Sequence, residues 1–494
     1  MFLEVCLSLT VVWFLWYMMT TYHSRRLTPP GPFPLPLIGN THLIGSNPPF
    51  TMDKLWETYG DVYQVKFPVG TFVIVNSFEA AREALITRKD DFAGRPIDLM
   101  YPVDIITEGK SVASADFGLK LMFRKKITKS AIRVFGDNVH VVQGRMTNAV
   151  KELLSEIEAL DENPFSVKSY ISSAITTQLW EWISSRQYRH GNKTLRSLVE
   201  FQEKMIYLMR QGSYFQMLPF MKFLPTKFMR TLQEVLEMRE TIFGAELEEH
   251  RRTYTTGVTR DIIDSMIASY EIEKAKTTDK DVGTVEDIKF LLLDAVVAGA
   301  DTSITVVSWF ILHMILDKDL QTRLQNELDD VVGRDRLPCW GDVKNLHYLQ
   351  ATVCEVMRHT GFLPWMPHRT IRDTSIKGYH VPKHTSVFIN FYRVHRDPQE
   401  FCEPMLFDPG RFVNSDGTFK GWTAVSAFLP FGVGRRACLG QDLGKMQVLS
   451  VLSCLLYQFT FHEVESESRP SLEEGDTGSL YHPTDYKVIA KRRD

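Results

Sequence analysis

The sequence has few cysteines and no two of them close together. Six cysteines occur among 494 residues, and no C-x-x-C pair is present. This spacing excludes a disulfide scaffold, a zinc ribbon and a ferredoxin-type cluster, which all need grouped cysteines. Single cysteines fit a reducing compartment, and a cysteine with a function here must act alone. The six are Cys6, Cys339, Cys354, Cys402, Cys438 and Cys454.

An excess of positive charge is also missing. The chain has 57 Lys and Arg against 60 Asp and Glu, a formal net charge of -3. This balance predicts no nucleic-acid partner and leaves small molecules, proteins and membranes. Low-complexity segments and internal repeats are absent. The length fits two ordinary domains or one large, mostly helical domain, and residues 46–494 read as one continuous globule.

The N-terminus contains a long hydrophobic run, FLEVCLSLTVVWFLWYMMT, whose only charge is Glu4. No basic segment precedes the run and no small-residue cleavage site follows it, whereas Arg25 and Arg26 come just after it. These features predict a transmembrane signal anchor at residues 2–20, with the rest of the chain on the cytoplasmic side. A cleaved signal peptide and a buried N-terminal helix are the weaker alternatives.

Proline is concentrated just after this run. The stretch PPGPFPLPLIGN (residues 29–40) cannot be helical and predicts a stiff, extended linker over residues 21–45. Beyond it, alternating apolar and polar residues predict a β-hairpin from residues 61–67 and 71–76. The same pattern predicts a second hairpin within residues 376–390.

Proline is absent between Pro225 and Pro338, where helical periodicity dominates. Residues 284–317, TVEDIKFLLLDAVVAGADTSITVVSWFILHMILD, are too long and too apolar for a surface helix. Thr284, with Asp287 three residues later, predicts its N-cap. Such a helix would run about 50 Å through the middle of the domain, so polar residues on it need a reason.

The stretch PFGVGRRACLG (residues 430–440) fits two incompatible patterns. Gly432, Gly434 and Ala437 spell the G-x-G-x-x-A phosphate turn of dinucleotide-binding folds. That turn must end a buried strand and open a βαβ unit. Pro430 stands where the strand would be, and too little chain follows to build the fold. The dinucleotide interpretation is therefore disfavoured.

The second pattern is a loop built around the Cys438 thiolate. An axial thiolate on haem iron needs a close backbone approach, which Gly434 and Gly440 allow, and amide donors such as those of a following helix. Arg436 would meet a haem propionate as a charge-assisted pair. The alternative is a buried structural cysteine beside a solvated arginine pair.

The stretch resembles the haem-binding loop F-x-x-G-x-R-x-C-x-G of the cytochrome P450 family, and the resemblance extends over essentially the whole chain. It implies a mainly α fold with small β-sheets, forming a single large catalytic domain (46–494) behind the transmembrane helix. It also implies haem b (heme b, iron protoporphyrin) with Cys438 as the iron ligand. The matching positions are Phe431, Gly434, Arg436, Cys438 and Gly440.

Glu355 and Arg358 lie three residues apart on one predicted helical face, which alone would indicate an ordinary solvated ion pair. They resemble the E-x-x-R motif of the same family, which a downstream P-E-R-F arginine completes. Here that segment reads Pro-Gly-Arg-Phe, so Arg411 is present while Gly410 replaces the acidic residue. The resemblance implies a structural network of Glu355, Arg358 and Arg411.

On the long apolar helix, AGADTS (residues 298–303) resembles the oxygen-activation motif of the family. Ala298 and Gly299 would give a flat surface for the macrocycle, and Asp301 and Thr302 would supply an acid and an alcohol as catalytic residues. The alternative is that Thr302 bonds back to the Ala298 carbonyl with Asp301 at an edge. Both can hold together.

Two positions depart from, or only partly match, the propionate contacts of the family. Aligning residues 118–132 with the usual W-x-x-x-R motif puts Leu121 at the tryptophan and Lys125 at the arginine. A shift by one residue would make Arg124 the partner instead. His368 resembles the other propionate contact, although a lone histidine is more often a core or surface residue.

The resemblance implies a monooxygenase that inserts one atom of O₂ into a lipophilic small molecule. The sequence shows no flavin, nicotinamide or iron–sulfur site, so electrons must come from another protein. For an anchored member, the resemblance implies an NADPH-dependent flavoprotein reductase, with cytochrome b5 as an optional donor, at the endoplasmic reticulum membrane. Candidate docking residues are Lys125, Lys126, Arg435 and Lys445.

Two other functional classes remain open: an enzyme that rearranges peroxides without a reductase, and a haem sensor or carrier. Relatives that rearrange peroxides typically lose the acid and alcohol pair, whereas Asp301 and Thr302 are retained here. Retention favours the monooxygenase.

The substrate is the least defined feature. The segments FAGRP (92–96), ITEGKSVASAD (106–116) and LPWMPHRT (363–370) resemble the aryl-hydrocarbon and steroid hydroxylase branch of the family. Steroids, aromatic xenobiotics and fatty acids all stay open. The Met- and Phe-rich residues 207–225 fit a core, membrane-facing or lid role. The candidate substrate contacts are Ala298, Leu363 and Leu480.

Overall fold

The computed structural model describes residues 28–493, apart from residues 46, 138, 187–191, 280 and 467. Of the predicted membrane span, it describes Val12, Trp16, Met18 and Met19, which are helical and exposed. The rest of the span at residues 2–20 lies outside the described residues, as does the start of the linker.

Helices make up most of the described chain. In chain order they are α1 (Pro48–Tyr59), α2 (Phe78–Arg82), α3 (Val103–Ile106), α4 (Leu119–Asp137), α5 (Val139–Glu158), α6 (Val167–Ser184), α7 (Lys193–Met217), α8 (Lys227–Arg239), α9 (Ala245–Thr253), α10 (Ile262–Ala275), α11 (Ile288–Leu316), α12 (Lys318–Val332), α13 (Trp340–Val343), α14 (His347–Thr360), α15 (Phe391–Val394) and α16 (Gln441–Gln458). Single turns of 3₁₀ or π type join several of them.

The strands are short and belong to small sheets. They are β1 (Val62–Phe67), β2 (Gly70–Val75), β3 (Phe165–Ser166), β4 (Met366–Arg369), β5 (Thr374–Ile376), β6 (Tyr379–Val381), β7 (Ser386–Ile389), β8 (Phe459–His462), β9 (Gly475–Thr477), β10 (Tyr481–Pro483) and β11 (Lys487–Arg492). The largest sheet has the order β1-β2-β7-β4. β1 and β2 pair antiparallel as the first predicted hairpin, which is confirmed. The mainly α fold class with small sheets is confirmed as well.

The second predicted hairpin, at residues 376–390, is wrong in its pairing. A tight hairpin does form, but it joins β5 to β6 through Lys377 and Gly378, which both have positive φ. Pro382 then interrupts the ladder because it has no N–H to donate. β7 pairs instead with β2 and β4, which buries Val387 and Ile389 completely.

The long apolar helix is confirmed as α11, with a length of about 43 Å. Although Val285–Leu316 is apolar and long enough to cross a bilayer, 67% of its most apolar window is buried, so it is a core helix. It packs against α6, α14 and α16. Thr284 is the N-cap of the 3₁₀ turn Val285–Asp287 that leads into α11, as predicted, but its hydroxyl donates to the Asp287 carboxylate at 3.3 Å and accepts no helix N–H.

The packing of α6 on α11 forms the centre of the core. Ile171, Ile175 and Leu179 are spaced four residues apart and form one apolar stripe on α6. Trp180 on α6 and Trp309 on α11 are each at most 1% exposed. Burying each such side chain stabilises the fold by about 1.5–3 kcal/mol. This interface fixes the helix that carries the Asp301 and Thr302 pair.

The proline-rich segment is bonded to β1. The Pro30 carbonyl oxygen accepts from the Gln64 N–H at 2.7 Å. Asn40 donates its N–H to the Lys66 carbonyl oxygen at 2.6 Å and accepts from the Lys66 N–H at 2.8 Å. The folded domain therefore includes the chain from Pro30 onward, so most of the predicted linker at residues 21–45 is not a free spacer.

We expect Gly39→Ala to weaken this attachment. Gly39 has a φ of +59°, and a Cβ there would lie 2.1 Å from the Lys66 carbonyl oxygen. The expected loss in free energy of unfolding is about 1–3 kcal/mol, measured by thermal denaturation, with faster proteolysis within residues 28–45. Gly257→Ala is the matched control, since its φ is +85° but nothing lies within 4 Å. Equal effects in both variants would contradict the docking.

Candidate active site

The loop around Cys438 is closed by its own backbone and leads into α16. The Cys438 N–H donates to the Phe431 carbonyl oxygen at 2.8 Å, and Gly434–Arg436 forms a single 3₁₀ turn between them. Burial raises the pKa of the Cys438 thiol, while a hydrogen bond from the Gly440 N–H lowers it. The sulfur therefore lies at the N-terminal end of α16, where the helix favours a thiolate.

Cys438 differs from the other described cysteines. Its side chain is exposed, although enough protein surrounds it for burial to raise the thiol pKa, so it faces a concave surface. Cys354 and Cys454 are buried, and burial raises the pKa of Cys454 to about 12. Cys339 caps α13, and Cys402 is exposed. The alternative of a buried structural cysteine therefore fits Cys354 and Cys454 but not Cys438.

Gly434 and Gly440 have different roles in this loop. Gly434 has a φ of +74°, and a Cβ there would lie 2.0 Å from the Leu85 carbonyl oxygen. Gly434 is thus required by a contact with the π-type turn Glu83–Thr87. A Cβ on Gly440 would meet no protein atom within 4 Å, so Gly440 leaves open space beside the sulfur.

One face of α11 opens in the middle of an otherwise buried helix. Ala298 is exposed, whereas Val296 and Ala300 on either side are fully buried. Gly299 does not share this face, since a Cβ on it would lie 3.1 Å from the Leu179 side chain on α6. The predicted flat surface of Ala298 and Gly299 is therefore corrected: Ala298 lies on the open face, and Gly299 allows α6 to pack closely.

Thr302 follows Ala298 by one turn on this helix. The Thr302 hydroxyl donates to the Ala298 carbonyl oxygen at 2.7 Å, as the alternative interpretation expected. The Ser303 hydroxyl makes the same kind of bond to the Gly299 carbonyl oxygen at 3.0 Å. Such back-bonds compete with the N–H donors of the helix and weaken it locally. The hydroxyl oxygen of Thr302 remains able to accept a further hydrogen bond.

Asp301 is nearly buried, at 8% exposed. One carboxylate oxygen lies 3.7 Å from Nε2 of His482 on β10. Burial raises the pKa of Asp301 to about 6, against a smaller lowering by Lys168 and Arg210. Burial lowers the pKa of His482 to about 4, and the same two cations lower it further. The 3.7 Å separation exceeds a hydrogen bond; near pH 6 the His482 ring is neutral, whereas the Asp301 carboxyl is about half ionised.

Three cationic side chains come together beside the Cys438 loop. Arg95 donates to the Ala113 carbonyl oxygen at 2.9 Å, and Arg436 donates to the Ala93 carbonyl oxygen at 2.6 Å. Lys125 donates to a backbone carbonyl of the loop itself. All three bind backbone oxygens, and none of them forms an ion pair with a carboxylate of the described residues.

The charge of Arg436 destabilises those of Arg95 and Lys125, while Asp116 favours the charged form of Arg436 itself. Burial lowers the pKa of Arg95 to about 9, and Arg436 lowers it further. Burial also lowers the pKa of Arg436 to about 10. The pKa of Lys125 is lowered first by burial and then by the charge of Arg436. Buried cations are ordinarily paired with anions. The cluster therefore fits a ligand with more than one carboxylate, and haem b carries two propionates.

The two alternative alignments for the propionate contact, Arg124 and Lys125, differ in what each side chain binds. Arg124 donates to the Asp287 carboxylate at 3.0 Å, and both side chains are buried. Arg124 is thus already paired, and Lys125 is the cation in the cluster. Leu121 is 3% exposed and has no donor to offer.

His368 lies next to this cluster. Its Nδ1 is 2.9 Å from the Phe92 carbonyl oxygen, so Nδ1 carries a hydrogen. Burial and then Arg95 hold the pKa of His368 well below its usual value. A second donor, at Nε2, would need the cationic ring, which a nearby carboxylate would stabilise.

Glu355 and Arg358 form a fully buried, bidentate ion pair. The two N···O distances are both 2.7 Å, and both side chains are 0% exposed. The Arg411 Nε lies 3.5 Å from the Glu355 carboxylate, which also accepts from the Asp408 N–H at 2.8 Å. Asp408 in turn accepts from the N–H of Gly410 at 2.8 Å. Gly410 thus leaves room for the Asp408 side chain, which lies within 3 Å of where a Cβ would be.

His395 connects this network to the cysteine loop. Arg358 donates to the His395 carbonyl oxygen at 2.9 Å, and the His395 Nε2 accepts from the Leu429 N–H at 2.9 Å. Burial lowers the pKa of His395 to about 3, so the ring is neutral and keeps the lone pair that Leu429 needs. Leu429 begins the loop that ends at Cys438.

Two of the candidate substrate contacts lie on neighbouring segments. The Tyr481 N–H donates to the Phe362 carbonyl oxygen at 2.8 Å, which joins the segment of Leu480 to that of Leu363. Leu363 is half-buried and Leu480 is 5% exposed. Ala298 lies on the open face of α11.

Sequence reasoning missed Arg95, His395 and His482. Each is defined by partners far away in the chain: the Arg95 side chain donates to the Pro367 carbonyl, and His482 lies against α11. No local spacing marks such residues. The only sign of Arg95 in the sequence was its place in the FAGRP segment, which resembles the same branch of the family.

Comparison with known proteins agrees with this geometry. A model of the family described as Cytochrome P450 matches residues 29–490. The steroid 17-alpha-hydroxylase/17,20 lyase of Ictalurus punctatus is 30% identical over 94% of this chain and 91% of its own length. Cytochrome P450 1A1 of Chelon auratus is 31% identical over 89% of this chain and 86% of its own.

A solved structure is similar as well. It is titled "Zebra fish cytochrome P450 another structure with Progesterone" and superposes with a TM-score of 0.80 at 28% identity, covering 90% of this chain and 99% of the other. The matches span the fold, the cysteine loop and the cation cluster together. The chain therefore belongs to the cytochrome P450 family, whose members are monooxygenases that bind haem b through a cysteine thiolate.

Proposed function

We propose that this enzyme is a membrane-anchored monooxygenase that oxidises a steroid or polycyclic aromatic molecule with electrons from NADPH through a flavoprotein reductase. The observation that carries the proposal is the accessible Cys438 thiol. It lies two residues from Arg436, one of the three clustered cations that pair with no carboxylate of the described residues. The similarity to a steroid hydroxylase and to Cytochrome P450 1A1 supports the substrate class.

We assign the haem contacts to residues around the loop. Cys438 is the iron ligand, stabilised as thiolate by the Gly440 N–H. Arg95, Lys125 and Arg436 hold the two propionates and are relieved of their mutual repulsion by them. His368 is a further contact in its cationic form. The haem supplies the iron at which O₂ is reduced and one oxygen atom is transferred.

Asp301 and Thr302 manage protons on the open face of α11. The Thr302 hydroxyl hydrogen is held by the Ala298 carbonyl, so its oxygen can orient a donor such as water. The pKa of Asp301 near 6 lets its carboxyl both hold and release a proton at neutral pH. This retained pair favours the monooxygenase over peroxide rearrangement.

Electron delivery is proposed to occur on the Cys438 side of the domain. Lys126 is 64% exposed, although it lies 3.5 Å from Glu273. Arg435 is 42% exposed and pairs with Asp90 at 2.6 Å. Lys125 is turned inward to the cluster, so it is a weaker candidate than the sequence indicated. Lys126 and Arg435 therefore remain the better candidates for contact with an acidic reductase surface or cytochrome b5.

We propose an endoplasmic reticulum location, with the anchor at residues 2–20 and the catalytic domain cytoplasmic. Apolar side chains exposed after α7 support membrane contact. Phe220 is 61% exposed and Phe223 is 87% exposed, so this part of residues 207–225 is not core. Leu37, in the docked proline-rich segment, is also 87% exposed.

The substrate is proposed to lie against Ala298, with Leu363 and Leu480 beside it. The test is a spectral titration of the ferric enzyme with progesterone, pyrene and a long-chain fatty acid. We expect a substrate-induced spin shift with the steroid or the aromatic hydrocarbon. A shift with the fatty acid alone would contradict the proposed class.

Turnover tests the reaction itself. With the bound substrate, O₂, NADPH and the reductase, we expect an oxygenated product that disappears when NADPH or reductase is omitted. Its new oxygen should derive from O₂, measured by mass spectrometry with isotopic oxygen. Product formation from a hydroperoxide alone, and none with NADPH and reductase, would favour the peroxide-rearranging class instead.

Arg95→Gln should weaken haem retention. Removing one charge-assisted hydrogen bond costs about 1.5–3 kcal/mol, or roughly tenfold to a hundredfold in affinity. The measurement is the rate of haem transfer to an apo-haem acceptor protein. Arg95→Lys should recover part of the loss. Arg372→Gln, which removes an exposed cation paired with Asp91, is the control, and equal rates in R95Q and R372Q would contradict the assignment.

His395→Phe should loosen the cysteine loop because the Leu429 N–H loses its acceptor, at a cost of about 1–3 kcal/mol. The measurement is the fraction of reduced, CO-bound enzyme with a thiolate-type spectrum. His395→Gln keeps an acceptor and should be milder.

Because the folded pKa of His395, about 3, lies below its ordinary value, its contribution to stability should be lost as pH falls from about 6.5 toward 3. That acid loss should be smaller in H395Q; an identical spectrum in H395F would exclude the role.

A further inference from the structure

A small polar group lies between α11 and the strands β9 and β10. The His482 Nδ1 is 3.0 Å from the Thr305 hydroxyl oxygen, and the His482 Nε2 is 3.7 Å from the Asp301 carboxylate. The His482 and Asp301 side chains are each 11% exposed. The Trp309 N–H donates to the Tyr481 carbonyl oxygen at 2.8 Å, which fixes β10 against α11.

The hydrogen bonds define where the protons are. The Thr305 hydroxyl donates its one hydrogen to the Asp301 carbonyl oxygen at 2.7 Å. It can only accept from His482, so Nδ1 carries the ring hydrogen. In the neutral ring, Nε2 then presents a lone pair toward the Asp301 carboxyl. A lone pair and a carboxylate repel each other, so this arrangement is favourable when a proton lies between them.

The surrounding charges allow that proton to be exchanged. Lys168 on α6 and Arg210 on α7 lower the pKa of both Asp301 and His482, and Asp476 on β9 raises that of His482. Arg210 lies 3.5 Å from Asp476, so the two partly offset each other. Burial leaves Asp301 with a pKa of about 6 and His482 with one of about 4. A proton shared by the two groups therefore resides mainly on Asp301, which is the stronger base of the two.

We infer that His482 is a positioning residue that resupplies Asp301 with protons during turnover, an inference that rests on the proposed role of Asp301. His482 takes one proton from solvent at Nε2. That N–H bond then breaks as an O–H bond forms on the Asp301 carboxylate, which has given its own proton to the open face of α11. No electrons move, and the imidazole returns to its neutral form. The 3.7 Å gap is closed by rotation of the Asp301 side chain or by one water.

A titration without turnover tests the pair. The resting haem-bound enzyme is titrated in the infrared, and the carboxylic acid band lost in Asp301→Asn is assigned to Asp301. In His482→Gln, the amide can donate to the carboxylate, which neutral Nε2 cannot, so the midpoint of the Asp301 band should fall. Thr305→Val, which frees Nδ1, should change the midpoint less. An unchanged midpoint in both variants would overturn the inference.

Turnover distinguishes relay from structure. With NADPH, reductase and O₂, we expect His482→Gln to release severalfold more peroxide per O₂ consumed and to show a larger solvent deuterium effect. Its reduced CO spectrum should be unchanged. His462→Gln, half-buried on β8, is the control and should match the unmodified enzyme.

The outcomes separate the two proposals. If Asp301→Asn raises peroxide release and His482→Gln does not, the inference fails and the proposed function stands. If neither variant changes peroxide release, the role given to Asp301 in the proposed function fails as well. A loss of the thiolate-type spectrum in H482Q would show a structural role instead.

Discussion

The ion pair between Glu355 and Arg358 is the interaction on which the rest of the site depends. Both side chains are 0% exposed, and a lone charge at that depth would be very costly, so neither tolerates loss of its partner. Arg358 also donates to backbone carbonyl oxygens of the segment before the cysteine loop, those of Pro404 and Leu406. Through His395, the same arginine is connected to Leu429. The loop is therefore held by the centre of the fold and not by local turn chemistry alone.

The cation cluster follows the opposite principle. Arg95, Lys125 and Arg436 bind backbone oxygens and pair with no carboxylate of the described residues, and the charge of Arg436 lowers the pKa of the other two. A fold that leaves such groups unbalanced gains stability when an anion binds, by an amount that grows with ligand concentration. Under the proposed haem contacts, the carboxylates of the ligand would offset the repulsion between these cations.

Local patterns in the sequence were enough to predict α11, the β1–β2 hairpin and the loop that leads from Cys438 into a helix. Each of these depends on neighbours within a few residues, such as the apolar period of α11 or the spacing around Cys438. The pairing of β7 was not predictable locally, since its partners come from β2, more than three hundred residues earlier, and from β4. Arg95 and His482 were missed for the same reason. The close contacts of Gly434 with Leu85 and of Gly299 with Leu179 were not predictable either, because these partners are distant in the chain.

The docking of the proline-rich segment has a consequence for how the domain moves. The segment is bonded to β1 from Pro30 onward, so under the proposed anchor at residues 2–20 fewer than ten residues would separate membrane and domain, a reach of at most about 30 Å. Such a tether would restrict tumbling and hold one side of the domain toward the bilayer. Encounters with the proposed redox partner in the same membrane would then become a search in two dimensions between surfaces of limited orientation.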